Sequence, residues 1–123
     1  MKNLKPEKLV ESRVMTWAKS KGFWLNVVEA KATYSNRMKM YIRGQAPLGF
    51  PDLNGITPCG YPCYIELKAP GKRFSARIEQ MQHLVEVIHR GGFAAVIDSE
   101  IELERLYDSW KQSNRSRKVL LED

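Results

Sequence analysis

Residues 49–72 read GFPDLNGITPCGYPCYIELKAPGK, and the alternation inside this stretch decides the fold. From Tyr61 to Ala69 the chain has the look of a strand. It puts Cys63, Ile65 and Leu67 on one side and Tyr64, Glu66 and Lys68 on the other, because successive strand side chains point to opposite faces. Glu66 and Lys68 therefore point the same way, ~7 Å apart along the strand. Pro70-Gly71 ends it. Upstream, Leu53 and Ile56 around Asn54-Gly55 read as a short strand with a turn.

Working outward, Val10, Val14, Trp17 and Ala18 recur at helical spacing behind Pro6, a residue suited to a first helical turn. This predicts an amphipathic helix over 6–21, ended by Gly22. FWLNVVEA, residues 23–30, reads as a strand, and the segment from Lys31 to Gly49 as a long basic loop. On the other side, Ser75 is expected to cap a helix whose apolar stripe is Ile78, Met81, Leu84, Val85 and Ile88, closed by Gly91-Gly92. FAAVI, residues 93–97, has the continuous apolar character of a buried strand. Ser99 and Glu102 form a capping-box pair ahead of Leu103, Leu106, Tyr107 and Trp110. Residues 111–123 read as a polar, partly ordered tail. The order helix, three strands, helix, strand, helix predicts an α/β fold, a mixed central sheet flanked by helices. The helix between the third and fourth strands makes those two parallel.

With 123 residues, 43% of them apolar and three of them Trp, the chain suits one domain over 1–123 with its core about 9–107. No run approaches the ~18 to 20 apolar residues of a membrane span, and MKNLKPEKLVES lacks the apolar block of a secretory signal, so a cytoplasmic protein is expected. Cys59 and Cys63 read as two reduced thiols. A zinc site needs two more ligands, and His83 and His89 lie on a predicted helix without finger spacing.

The net charge of +6 is uneven: Lys31, Arg37, Lys39 and Arg43 stand in a segment without one acid. Such a patch attracts polyanions, and with Lys72 and Arg73 it forms the expected DNA-binding set. A solvated loop explains the same charge.

Asp52, Glu66 and Lys68 are the residues on which chemistry is expected. Hydrolysing a phosphodiester requires charge on the scissile phosphate to be offset and water to be made nucleophilic, and a divalent metal held by carboxylates does both. Mg²⁺ prefers hard oxygen ligands and keeps several waters. Lys68 would orient or deprotonate the water, or stabilise the charged transition state. The competing reading is a turn aspartate and an ordinary Glu/Lys pair on a solvated face.

GFPDL together with YIELKAPGKRFSARIEQMQHLVEVIHRGGFAAVI resembles the virus-type replication and repair nuclease domain, a branch of the PD-(D/E)xK phosphodiesterases common in phages. The resemblance runs from about Leu9 to Leu106. It carries the Gly-x-Pro-Asp turn, the Glu-x-Lys-x-Pro-Gly strand end, an early helix glutamine and a Gly-Phe opening of the last strand. It implies a restriction-endonuclease-like core in which Asp52, Glu66 and the backbone carbonyl of Leu67 ligate Mg²⁺ or Mn²⁺ and Lys68 is the catalytic lysine. Glu11 is the best match to the family's first-helix acid, with Glu7 the alternative, and Gln80 takes the place of its helix glutamine. The small stand-alone members are homodimers resembling Holliday junction resolvases, which implies branched DNA, four-way junctions above all, as substrate in a bacterial or phage-infected cell. Nothing from the family carries over to residues 31–49.

The reading is thus a metal-dependent endonuclease cutting branched DNA through Glu11, Asp52, Glu66, Lys68 and Gln80. Its rivals are a non-catalytic basic nucleic-acid-binding module and a restriction-type duplex nuclease.

Overall fold

The computed structural model of the chain describes residues 5–28, 33–35, 40–42 and 50–122, with side chains described over 5–28 and 50–113. Helix α1 (Pro6–Ser20) leads into strand β1 (Trp24–Val27), and β2 (Thr33–Ser35) and β3 (Met40–Ile42) follow. Next come β4 (Leu53–Ile56), β5 (Pro62–Leu67), a 3₁₀ turn (Arg73–Ser75), α2 (Ile78–His89), β6 (Phe93–Ile97) and α3 (Glu100–Glu122). The main sheet has the order β1-β4-β5-β6. Its first three strands are antiparallel neighbours, and β6 lies parallel to β5 with Glu66 opposite Val96. The fold is mixed α/β, and the parallel pair is the one expected from the intervening helix.

The odd-numbered face of β5 makes the core. Cys63, Ile65 and Leu67 are buried with Val10, Val14 and Ala18 of α1, while Phe93, Ile97, Leu103 and Tyr107 complete the same cluster from β6 and α3. Each large apolar side chain taken out of water there contributes roughly 1.5–3 kcal/mol. Tyr107 meets Phe23 and Phe93 edge-to-face at 4.8 and 5.5 Å between ring centroids. Trp110 is tied to this cluster, its Nε1 donating to the Gly92 carbonyl at 3.0 Å. α2 covers the opposite face.

The structure corrects four local expectations. The segment 31–49 is not simply a loop: Thr33–Ser35 pairs antiparallel with Met40–Ile42 in a separate two-stranded sheet. A reading led by charge passed over the β-forming Thr, Tyr and Ile of those two triplets. The tail is not partly ordered beyond 110, for α3 continues to Glu122; no Gly or Pro interrupts residues 111–122, so nothing local stops the helix. Ser75 does not cap α2. It lies in the 3₁₀ turn with its hydroxyl donating to Lys72 O, and Arg77 occupies the N-cap. Finally, the apolar stripe of α2 is mostly outside: Leu84 is buried, whereas Ile78 is 73% exposed and Met81, Val85 and Ile88 keep over two fifths of their surface. The rotation of α2 follows Gln80, which points at β5.

Asn54-Gly55 also turns out to lie inside β4, with Gly55 paired to Leu25 and Cys63. A Cβ at Gly55 would stand 1.8 Å from the Trp24 carbonyl oxygen, so β1 comes close only because no side chain intervenes. Gly55→Ala is therefore expected to destabilise the fold by ~3 kcal/mol or more through the forced separation of β1 from β4. Urea unfolding monitored by circular dichroism checks it, and a loss under ~1 kcal/mol would mean that the strand pair yields without cost.

Among the described residues no helix is long and apolar enough to cross a membrane. Both cysteines are free. Burial pushes the Cys63 thiol up to about 12. Cys59 sits 3.4 Å from Thr57 Oγ1 and 3.3 Å from the Tyr107 hydroxyl.

Candidate active site

β4 and β5 run antiparallel with Leu53 opposite Ile65, and one further step of that register sets Asp52 opposite Glu66. The pairing is reinforced by side chains. The Leu67 N–H donates to Asp52 Oδ2 at 2.8 Å, and the Asp52 N–H donates to Glu66 Oε1 at 3.3 Å. Two carboxylates are thereby fixed at one edge of the β4–β5 ladder, Asp52 partly exposed and Glu66 only 2% exposed.

Lys68 lies two residues beyond Glu66 on the same face. Its Nζ is 3.1 Å from Glu66 Oε2 and donates to Gln80 Oε1 at 3.1 Å. Gln80 is the hub. Its Nε2 donates to Glu66 Oε2, and its Oε1 also accepts the N–H of Arg77 at 2.9 Å, closing the first turn of α2. A glutamine three residues into a helix commonly reaches back to the cap in this way. Here the same amide holds both the lysine and the buried glutamate, so the start of α2 and the end of β5 form one hydrogen-bonded unit.

Burial pushes the Glu66 carboxyl up to about 7, with the Asp52 charge beside it acting in the same direction and Lys68 opposing. A buried acid whose like-charged neighbour raises it further is a common sign of a functional site. The donor set is two hard carboxylate oxygens on neighbouring strands. It suits Mg²⁺, which takes one or two protein carboxylates and fills its remaining positions with water and phosphate. Among the described residues no three of His, Cys, Asp and Glu are grouped to hold a metal, so waters and substrate oxygens would complete such a shell.

Of the residues expected at the site, Asp52, Glu66, Lys68 and Gln80 come together. Glu11 does not join them by any described contact; it lies on α1 paired with Lys8 at 3.3 Å. Glu7 is exposed in the first turn of α1. Arg73 is held by the fold: its Nε donates to Val96 O at 2.8 Å and its Nη1 lies 3.0 Å from Glu102 Oε2. Lys72 is exposed beside it. Lys31, Arg37, Lys39 and Arg43 lie outside the described residues.

A group of aromatic rings beside the carboxylates had no place in the sequence reading. Phe50 stands edge-to-face against Tyr64 at 5.7 Å and against His83 at 5.6 Å. The available signal was spacing, since Tyr64 shares the strand face of Glu66 and His83 follows Gln80 by one helical turn.

Comparison with family models, with curated proteins and with solved structures returns no match for this chain.

Proposed function

We propose that the chain is an Mg²⁺- or Mn²⁺-dependent endonuclease of the PD-(D/E)xK type, hydrolysing phosphodiester bonds in branched DNA in the manner of a Holliday junction resolvase. The observation that carries this reading is the convergence of Asp52, Glu66, Lys68 and Gln80 at the β4–β5 edge and the start of α2. A module that only binds DNA gains nothing from a buried glutamate raised by a second carboxylate.

Asp52 and Glu66, with the Leu67 carbonyl, would hold the metal, which supplies charge neutralisation and an activated water. Loss of the Glu66 proton prepares the pair to take a cation. Lys68 is aimed by Glu66 Oε2 and Gln80 Oε1, so its ammonium group needs no reorganisation to meet charge developing on the phosphate. Gln80 sets the position of both. Glu11 enters the proposal only through its place on the first helix.

Two symmetric cuts in a four-way junction require two sites, which a two-fold dimer provides. The exposed apolar residues Phe74, Ile78, Met81, Val85 and Ile88 offer a face for a second copy. A monomeric mass by light scattering would withdraw the dimer.

The deciding experiment incubates the protein with linear duplex, single-stranded, flap and four-way junction DNA, with and without Mg²⁺ or Mn²⁺. Metal-dependent cleavage favouring the branched forms supports the proposal. Tight binding without cleavage leaves the non-catalytic module, and plain duplex cut as fast as the junction leaves a simple nuclease. If the 31–43 segment meets phosphates, the Lys31, Arg37, Lys39 and Arg43 quadruple alanine variant is expected to flatten the salt dependence of duplex binding by about 0.9 in log-log slope for each phosphate no longer neutralised. An unchanged slope would assign those four side chains to solvent.

A further inference from the structure

Phe50, Tyr64 and His83 line a cavity of about 310 Å³ with Pro62, Glu86 and Arg90 among the surrounding residues. The volume is at the low end of the range for small-ligand sites. All three rings are only partly buried, so each keeps surface for an incoming group.

Phe50 lies two residues before Asp52, Tyr64 lies two before Glu66 on the same strand face, and His83 lies one helical turn after Gln80. Each element that brings a polar side chain to the carboxylate cluster therefore also brings a ring to the cavity. Along β5, Tyr64 in the cavity wall and Glu66 in the carboxylate pair stand two residues, ~7 Å, apart on one face. A base attached to or adjoining a phosphate at Glu66 is within reach of Tyr64 at that spacing.

From this we propose that the cavity is a base-stacking subsite: it takes one unstacked nucleobase of the strand whose phosphate lies at Asp52 and Glu66. The inference rests on the nuclease reading and extends it to the substrate. Aromatic faces accept any base, because every base has a π-face. The charged side chains among the lining residues, Glu86 and Arg90, are paired with each other at 2.7 Å. Stacking on the rings, rather than these paired charges, would hold the base. In a continuous duplex that base must first be pulled from the stack, whereas at a branch point or in a single strand it is already free or nearly so. The cavity in this way supplies a physical basis for a preference for branched over linear DNA.

The test uses the full-length chain in EDTA, where cleavage plays no part. Oligonucleotides carry a fluorescent adenine analogue, dimmed by stacking, at a single position that is stepped along a flap or junction. Position-specific dimming is expected at one or two nucleotides near the branch. Phe50→Ala and Tyr64→Ala should abolish it and weaken single-strand binding about tenfold each. Tyr64→Phe, which keeps the ring, should retain it. Folding of each variant is checked by circular dichroism, and Phe50→Leu serves where Phe50→Ala does not fold. Dimming that is absent, or equal at every position, overturns the subsite even if the protein cleaves DNA with metal. A dimer that dissociates on Phe50→Leu overturns it too, because the rings then belong to an interface. Position-specific dimming in a protein that cleaves no DNA keeps the base site and removes the nuclease reading.

Discussion

Glu66→Gln and Asp52→Asn are each expected to lower metal-dependent DNA cleavage by roughly 10³-fold or more, with DNA binding in EDTA little changed. The size follows from the several kcal/mol of transition-state charge stabilisation that a bound divalent ion supplies, at ~1.4 kcal/mol per factor of ten. The choice of amides matters. Asp52 Oδ2 accepts the Leu67 N–H, and truncation to Ala would leave that buried donor unpaired at a cost of ~1–3 kcal/mol, confusing a loss of chemistry with a loss of fold. Asn keeps an acceptor there. Gln at position 66 removes the charge and keeps one acceptor oxygen for Gln80 and Lys68, at the cost of the Oε1 acceptor that meets the Asp52 N–H. Lys68→Ala should reduce the rate constant by ~10²- to 10⁴-fold with the Michaelis constant nearly unchanged, because the ammonium group is assigned to the transition state rather than to binding. Robust metal-dependent cleavage by purified Glu66→Gln would sink the assignment of both carboxylates.

The second large effect is on stability and needs no substrate. Glu66 has an ordinary value of 4.5 and is pushed to about 7 in the fold by burial and by the Asp52 charge. The folded protein therefore holds the proton more tightly than the unfolded chain. The stabilisation from protonated Glu66 is fully present below pH ~4.5 and is lost as pH rises through ~7, up to about 3 kcal/mol in all. The metal-free protein is expected to melt at a lower temperature at pH 8 than at pH 5 on this account, by up to roughly 10 °C. Glu66→Gln carries no titrating group there and should flatten that part of the profile, melting above the wild type at pH 8. Mg²⁺ or Mn²⁺ should raise the melting temperature of the wild type at pH 8, since a cation bound to the folded carboxylates stabilises by mass action, and should do much less for Glu66→Gln. Scanning calorimetry at several pH values in EDTA, then with metal, measures both. If wild type and Glu66→Gln show the same pH slope, Glu66 is not the raised acid; if metal shifts both equally, the pair is not the metal site.

How much of this was legible in the sequence depends on the range over which each feature is decided. The shared face of Glu66 and Lys68 follows from the two-residue period of any strand, and it holds. The parallel pairing of β5 and β6 follows from the helix between them. The start of α3 also followed from a local pattern, with Ser99 Oγ accepting the Glu102 N–H at 3.2 Å. These are properties of neighbours along the chain, fixed by backbone geometry.

The remainder needed the folded molecule. Asn54-Gly55 has the look of a turn, yet Gly55 serves the close approach of β1, a strand that lies far earlier in the chain. The stripe on α2 promises a buried face, but Gln80 rotates the helix toward Glu66 and Lys68 and leaves most of that stripe outside. Asp52 meets Glu66 through the β4–β5 register, and Phe50, Tyr64 and His83 meet only once that register and the rotation of α2 are both set. Local periodicity fixes which side chains can share a strand face or a helix face. Which of those faces meet depends on long-range packing and hydrogen bonding, which set strand register and helix rotation, and not on the local periods of the chain.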